Sequence, residues 1–266
     1  MKLPKYLCPI KKTNLTRLGK DNDGGYVVAK KSIEKSDALI SFGISDDWSF
    51  EKNFREKKNV TIICFDSSVN LIFWLKRSIK DFIDLLLFRN NPFKVFLNFF
   101  TYFQYLIFFS HKNVIHEKKY IAPTQQITPG VKKDSITDLN EILEIYRLKN
   151  FFLKIDIEGS EYRILDQILK NEKDITGLVI EFHDCDYHYK KIENFVKNFT
   201  LELVHIHVNN YGLIDKFDRP TVLELTFSPK DFNNIRTEVE KEFPVLGLDQ
   251  PNNKNKQDLP ILFEDN

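Results

Sequence analysis

The chain has 266 residues, 42% of them hydrophobic, enough to bury a sizeable core in one large α/β domain with an insertion. Lys+Arg 39 against Asp+Glu 38 leaves a formal charge of +1, which gives no support to a nucleic-acid or acidic-surface partner drawn by bulk electrostatics, so a charged ligand must be met locally. Cys8, Cys64 and Cys185 lie far apart with no CxxC spacing, which argues against a disulfide framework or a thiolate zinc site and fits a reducing cytoplasm. The opening MKLPKYLCPIKKTN lacks the apolar region of a secretory signal, and no uncharged run reaches the roughly 20 residues of a membrane span.

In chain order, Asp23, Gly24 and Gly25 form a turn signal before a short strand, Tyr26 to Ala29. The glycine pair would let a ligand approach the backbone, with Asp23 and Tyr26 offering polar contacts. Ala38 to Phe42 reads as a strand and Gly43 as its tight turn, with Ser45, Asp46 and Asp47 as the cap of the next helix. Val60 to Phe65 is a second strand ending in Asp66, the position from which a carboxylate accepts ribose hydroxyls in a nucleotide-binding unit. Gly43 stands alone, whereas a dinucleotide fold needs GxGxxG. A cofactor without a pyrophosphate, such as S-adenosylmethionine, makes no such demand and is favoured over NAD.

From Asn70 to Phe109 the chain is crowded with Phe, Leu and Ile. Leu71 to Phe88 has the spacing of an amphipathic helix, and after Pro92 a second, more apolar helix over Phe93 to Phe109 carries a narrow polar stripe of Lys94, Asn98, Thr101 and Gln104. This helical hairpin is expected to be a cap or homo-oligomer interface, with peripheral contact to a membrane surface as the alternative. Beyond it, Tyr120 to Ala122 is a candidate third strand, Pro123 and Pro129 mark loops, and Asp134, Ser135 and Ile136 introduce a helix running to Tyr146.

FFLKIDIEGSE, residues 151–161, is the stretch on which the chain is organised. Its apolar run reads as a strand buried on both faces, so Asp156, Glu158 and Glu161 lie where the strand leaves the core, with Ser160 able to cap the following helix. In open α/β sheets ligands bind beyond the carboxyl ends of the strands. A further strand, Leu178 to Phe182, is followed by His183, Asp184 and Asp186. His205 and His207 point to one face of a later strand, with Asn209 and Asn210 at its end. TVLELTF closes the sheet as an antiparallel hairpin with that strand. Asp156, His183, His205 and His207 form a candidate set for a divalent metal (Fe, Mn, Zn or Mg). Pro251 to Asp258, PNNKNKQD, looks like a mobile polar tail.

Taken together, SFGISDDWSFE, CFDSS, LKIDIEGSE, VIEFH and HIHVNN resemble the FkbM-like class I methyltransferases, whose hallmark run is matched by Lys154 to Glu161. DGGY at Asp23 to Tyr26 is similar to a bacterial subgroup. The resemblance runs from about Leu18 to Phe227, skipping the hairpin. It implies a Rossmann-like seven-stranded, mostly parallel sheet with an antiparallel C-terminal hairpin, over residues 1–250 with a helical insertion at 70–115 and a tail at 251–266. It also implies binding of S-adenosylmethionine, and O-methylation of a sugar hydroxyl on a nucleotide sugar or a surface-polysaccharide precursor such as capsule. The site implied has His183, Asp156 and Glu158 as catalytic groups, His183 serving as general base or metal ligand. Ser41, Gly43, Asp47, Asp66 and Ser67 would hold the cofactor, and Asp23, Gly24, Gly25, Tyr26, Asn209 and Asn210 the substrate. A cytoplasmic enzyme, peripheral to the inner face of a membrane if the hairpin binds lipid, is the expectation. A membrane-surface interaction protein and an NAD-dependent oxidoreductase are the competing readings.

Overall fold

The computed structural model describes residues 1–10, 14–88, 92–123, 133–230 and 242–264; the loop marker Pro129 lies outside them, as does the side chain of Lys94. The first half of the chain forms β1 (Lys2–Leu3), β2 (Leu15–Leu18), β3 (Tyr26–Ala29), α1 (Lys30–Lys35), β4 (Ala38–Phe42), α2 (Ser49–Lys57), β5 (Thr61–Phe65), α3 (Leu71–Leu86), α4 (Pro92–Phe109), β6 (Val114–Glu117) and β7 (Tyr120–Ile121). There follow β8 (Ile136–Thr137), α5 (Leu139–Tyr146), β9 (Phe151–Ile155), α6 (Leu165–Lys170), β10 (Ile175–Phe182), α7 (Cys185–Asn198), β11 (Glu202–Val208), β12 (Leu223–Ser228) and β13 (Leu262–Phe263).

The central sheet has seven strands in the order β11-β12-β10-β9-β4-β5-β6. Its middle is parallel, and β12 runs antiparallel to both β10 and β11. The fold is therefore the Rossmann-like sheet with an antiparallel C-terminal hairpin expected from the motif order. Every residue of β4, β9 and β10 is buried, as continuous apolar runs covered on both faces require. From β4 the chain moves outward to β5 and β6, and from β9 it moves the other way to β10, so strand order reverses between β4 and β9. That is where an open α/β sheet leaves a crevice.

Several expectations are corrected: Ser160, expected to cap the helix after β9, makes no side-chain capping bond, and that helix starts at Leu165. The third strand of the sheet is Val114–Glu117; Tyr120–Ile121 instead pairs with β8 in a separate two-stranded ladder, because the chain leaves the sheet after Glu117. The helix expected from Asp134 starts later, at Leu139, where the Asp138 side chain accepts the Glu141 N–H at 3.0 Å.

Residues 251–258 do not form a loose tail. Asn252 is buried and donates to Glu224 at 2.7 Å, and Asp258 accepts from His207 Nε2 at 3.0 Å. Polar composition misleads here because Asn252 and Asp258 answer buried partners, while residues 254–257 between them stay exposed.

Candidate active site

Register decides which side chains can meet. Glu181, Glu224 and His207 are direct neighbours across β10, β12 and β11, and two residues away along each strand Ser41, Lys154, Val179, Thr226 and His205 form a parallel row on the same face. The β2–β3 hairpin covers this face, with Thr226 Oγ1 donating to the Val27 carbonyl at 2.6 Å. Its Tyr26 is buried, and the hydroxyl lies 3.0 Å from Asp156 Oδ2 and 3.1 Å from Glu181 Oε2, so one phenol proton is shared between two carboxylates.

Beyond the carboxyl ends of β4 and β9 lies a cleft of about 470 Å³, within the size range of small-molecule sites. Its lining includes Asp23, Gly24, Tyr26, Gly43, Asp47, Asp66, Ser67, Asp156 and Glu158, so most residues expected to bind cofactor or substrate converge there. Six carboxylates (Asp23, Asp46, Asp47, Asp66, Asp156 and Glu158) and three lysines (Lys20, Lys119 and Lys154) line it, leaving an acidic cleft.

Gly43 has φ +78°, and a Cβ there would stand 1.7 Å from the Asp156 carbonyl oxygen. The glycine is thus demanded by the close approach of two strand ends. Asp66 accepts from the Ile44 and Ser45 N–H groups at 3.0 and 2.8 Å through one oxygen, and from the Ser68 N–H and hydroxyl through the other. Burial works against its charge, but these bonds outweigh it and hold the carboxyl below its usual range. Asp66 therefore fastens the β4 turn to β5 while lining the cleft.

Lys154 is buried, donates to the Gly43 carbonyl and sits 3.9 Å from Asp156. Burial alone would lower its pKa, but the charges of Asp156, Glu51 and Glu181 raise it, so the amine stays charged. Ser41 lies beneath the cleft, fully buried and donating to Glu51.

Beside the cleft, His183 stands among four carboxylates. Its Nδ1 lies 2.8 Å from Glu161 Oε1, while Nε2 lies 3.4 Å from Glu158, 3.5 Å from Glu181 and 4.0 Å from Asp156. Glu161 is itself pinned by the Gly159 N–H at 3.1 Å, and its Oε2 is buried without a hydrogen-bond partner among the described residues. Burial disfavours the imidazolium, but the Glu161 hydrogen bond and the charges of Glu181, Glu161 and Asp156 raise the pKa to about 9. At neutral pH the ring keeps its proton, which suits it to orienting the carboxylates or to exchanging that proton for a cation rather than to serving as a free base.

Asp156, Glu158 and His183 each offer a donor atom within 4.8 Å of the others. That mixed nitrogen and oxygen set fits a divalent ion such as Mn²⁺, Fe²⁺, Zn²⁺ or Mg²⁺. The structure does not bring His205 and His207 into this set. His205 Nε2 pairs with Asp249 at 3.1 Å, and His207 bridges Glu224 and Asp258 at 3.2 and 3.0 Å. Asn209 donates to Glu181 at 2.9 Å, whereas Asn210 ties down residues 253–257, and neither Asn210 nor Gly25 is among the residues that line the cleft.

The sequence reading left Lys154 and Glu181 without roles at the site. The signal was available: each is a charge flanked by apolar residues in a buried strand, a position that needs a partner.

The His207 pair predicts a pH dependence of stability. Burial lowers its pKa, but the charge of Glu224 and hydrogen bonds to Asp258 and Glu224 raise it from 6.5 to about 10. A folded-state pKa above the unfolded value means that this stabilisation is complete below about pH 6.5 and is lost as pH rises toward 10. Thermal unfolding should therefore show a decline approaching about 1.4 kcal/mol per pH unit in that window, flattened in His207→Asn. A wild-type curve flat from pH 7 to 10 would contradict the pairing.

No family model matches the chain, and no curated protein does. Solved structures similar to it include a precorrin-6Y C5,15-methyltransferase from Geobacter metallireducens, 13% identical over 75% of this chain and 86% of that one, with a TM-score of 0.36. A 16S rRNA (adenine(1408)-N(1))-methyltransferase from Catenulisporales acidiphilia is 7% identical over 82% of this chain and 100% of that one, at a TM-score of 0.34. An antibiotic-related methyltransferase is 13% identical over 74% and 90%, at 0.31. At such TM-scores the likeness decides nothing about this chain's chemistry.

Proposed function

We propose that the chain is an S-adenosylmethionine-dependent O-methyltransferase acting on a sugar hydroxyl, as its resemblance to the FkbM-like enzymes implies. The observation that carries the cofactor reading is the acidic cleft at the point of strand-order reversal, lined by twice as many carboxylates as lysines. Such a lining complements the sulfonium and ammonium of S-adenosylmethionine and repels the pyrophosphate of a dinucleotide, which also needs glycines that the β4 turn lacks. Asp47, Asp156 and the Gly43–Ser45 turn would hold the cofactor, with Ile44, Phe50 and Phe65 as apolar lining. When bound, it supplies a methyl group on a positively charged sulfur.

The chain's own part is alignment and proton removal. Asp156 both lines the cleft and borders His183, so it is the group placed to accept the hydrogen of an acceptor hydroxyl. Tyr26 and Lys154 hold that carboxylate from the protein side. Glu158, on an exposed turn with φ +52°, reaches His183 from the solvent side. A divalent ion held by Asp156, Glu158 and His183 would supply charge that acidifies a coordinated hydroxyl.

Two experiments test this. Incubation with methyl-labelled S-adenosylmethionine and a panel of nucleotide sugars should place label in a base-stable sugar ether, and Asp156→Asn should lose it; label on a nitrogen or carbon acceptor instead would overturn the O-methylation reading. Titration of Mn²⁺ followed by the resonance of the free ion should show one saturable site, weakened at least about tenfold in Glu158→Gln. An unchanged affinity in that variant would remove Glu158 from the metal set.

A further inference from the structure

The α3–α4 hairpin buries Trp74, Tyr105 and Phe108 in one aromatic cluster and leaves a second apolar face uncovered. Between the helices, the Arg77 guanidinium pairs with Asp46 and donates to Asn98 at 3.0 Å, and Asn98 donates to a buried Asp81 at 2.8 Å. Outward, Leu75, Phe82, Phe88, Phe96, Phe99 and Phe103 are 53–97% exposed. A hairpin whose helices are joined by that aromatic cluster and by the Arg77–Asn98–Asp81 bonds, and which presents phenylalanines outward, is stable against an apolar medium and costly against water.

Two features say which medium. At 100° per residue the exposed apolar positions cover about a third of the circumference of α3 and about half of α4, broader than the two-position seam through which one helix docks on another. Among the described side chains of α3 and α4, the charged groups left exposed are Lys76 and Lys80, one turn apart, while Asp81 is buried and Asp84 partly covered. Phenylalanine and leucine beside exposed lysines whose stems can lie along the apolar surface match the interface of an anionic bilayer. No helix among the described residues is long and apolar enough to cross a membrane, so the hairpin can lie in the surface and not span it.

We propose that residues 71–109 form a monotopic membrane-docking hairpin that inserts its phenylalanine face into the headgroup and acyl boundary of an anionic lipid surface. The surface stands independently of the methyl-transfer reading. It adjoins the cleft, since Asp46, the partner of Arg77, is part of the cleft wall.

The test is co-sedimentation of the full chain with vesicles of phosphatidylcholine alone and of phosphatidylcholine with about a third phosphatidylglycerol, alongside sedimentation velocity without lipid. The expected result is binding to the anionic vesicles that weakens with salt and falls roughly thirtyfold in Lys76→Gln/Lys80→Gln, a variant that alters two exposed side chains. A Phe96→Ser/Phe103→Ser variant with an unchanged near-ultraviolet circular dichroism spectrum should lose binding to both. Failure of the folded wild-type chain to pellet with either vesicle would overturn the proposal, as would equal binding to both. A dimer that persists without lipid and stays in the supernatant with vesicles would overturn it in favour of a second copy of the chain.

Discussion

Replacing His183 by alanine is expected to lower methyl transfer by about 10²–10⁴-fold and to destabilise the fold by about 3–5 kcal/mol. The reason is electrostatic. Glu161 is fully buried and Glu181 nearly so, and both are turned toward the same imidazole, at 2.8 and 3.5 Å. Without the ring these carboxylates must be protonated or stay charged in a poor solvent, and Glu181 is already pushed well above the usual carboxylate range by burial and by the charges of Asp156 and Glu224. His183→Ala should therefore be rescued in stability by a second change, Glu161→Gln, but not in activity, because Asp156 and Glu158 still lack the third donor. Denaturant unfolding and single-turnover methyl transfer of the two variants check this. A His183→Ala protein of wild-type stability would mean that the carboxylates are not held by this ring.

Gly43→Ala is expected to cost about 3–5 kcal/mol and to abolish cofactor binding, through backbone geometry alone. An alanine at φ +78° carries about 1–2 kcal/mol of left-handed strain, and its Cβ would overlap the Asp156 carbonyl at 1.7 Å, so the ends of β4 and β9 must separate. Gly247 provides the control, since its φ of +82° is nearly the same but, among the described residues, no atom lies within 4 Å of the added carbon. Gly247→Ala should show the strain without the clash. Equal losses in the two variants, measured by denaturant unfolding, would show that the approach of the two strand ends is not what Gly43 serves.

The central strand and the acid cluster after it were legible in sequence because an apolar run of the right length stops on charges at one point, and burial on both faces leaves few alternatives for such a run. The sheet followed from repeating that pattern. The partners of His205 and His207 were not legible. They are Asp249 and Asp258, more than 40 residues downstream, in a segment whose asparagines and lysines carry no periodicity. Local composition cannot distinguish polar residues solvated by water from polar residues that answer a buried histidine. Asp66 illustrates the same limit within the motif itself: a strand-end carboxylate was foreseen, but not that one of its oxygens accepts from the Ile44 and Ser45 N–H groups of the turn it faces. Lys154 and Glu181 were charges inside apolar strands, and reading them as demands for a partner would have placed both at the site.

Isothermal titration of the chain with S-adenosylmethionine, with NAD as the comparison, tests the account most directly. An acidic cleft at the β4–β9 crevice predicts saturable, enthalpically detectable binding of S-adenosylmethionine, lost in Gly43→Ala, and no binding of NAD. Binding of NAD alone would contradict the assignment of the cleft and with it the methyl-transfer reading.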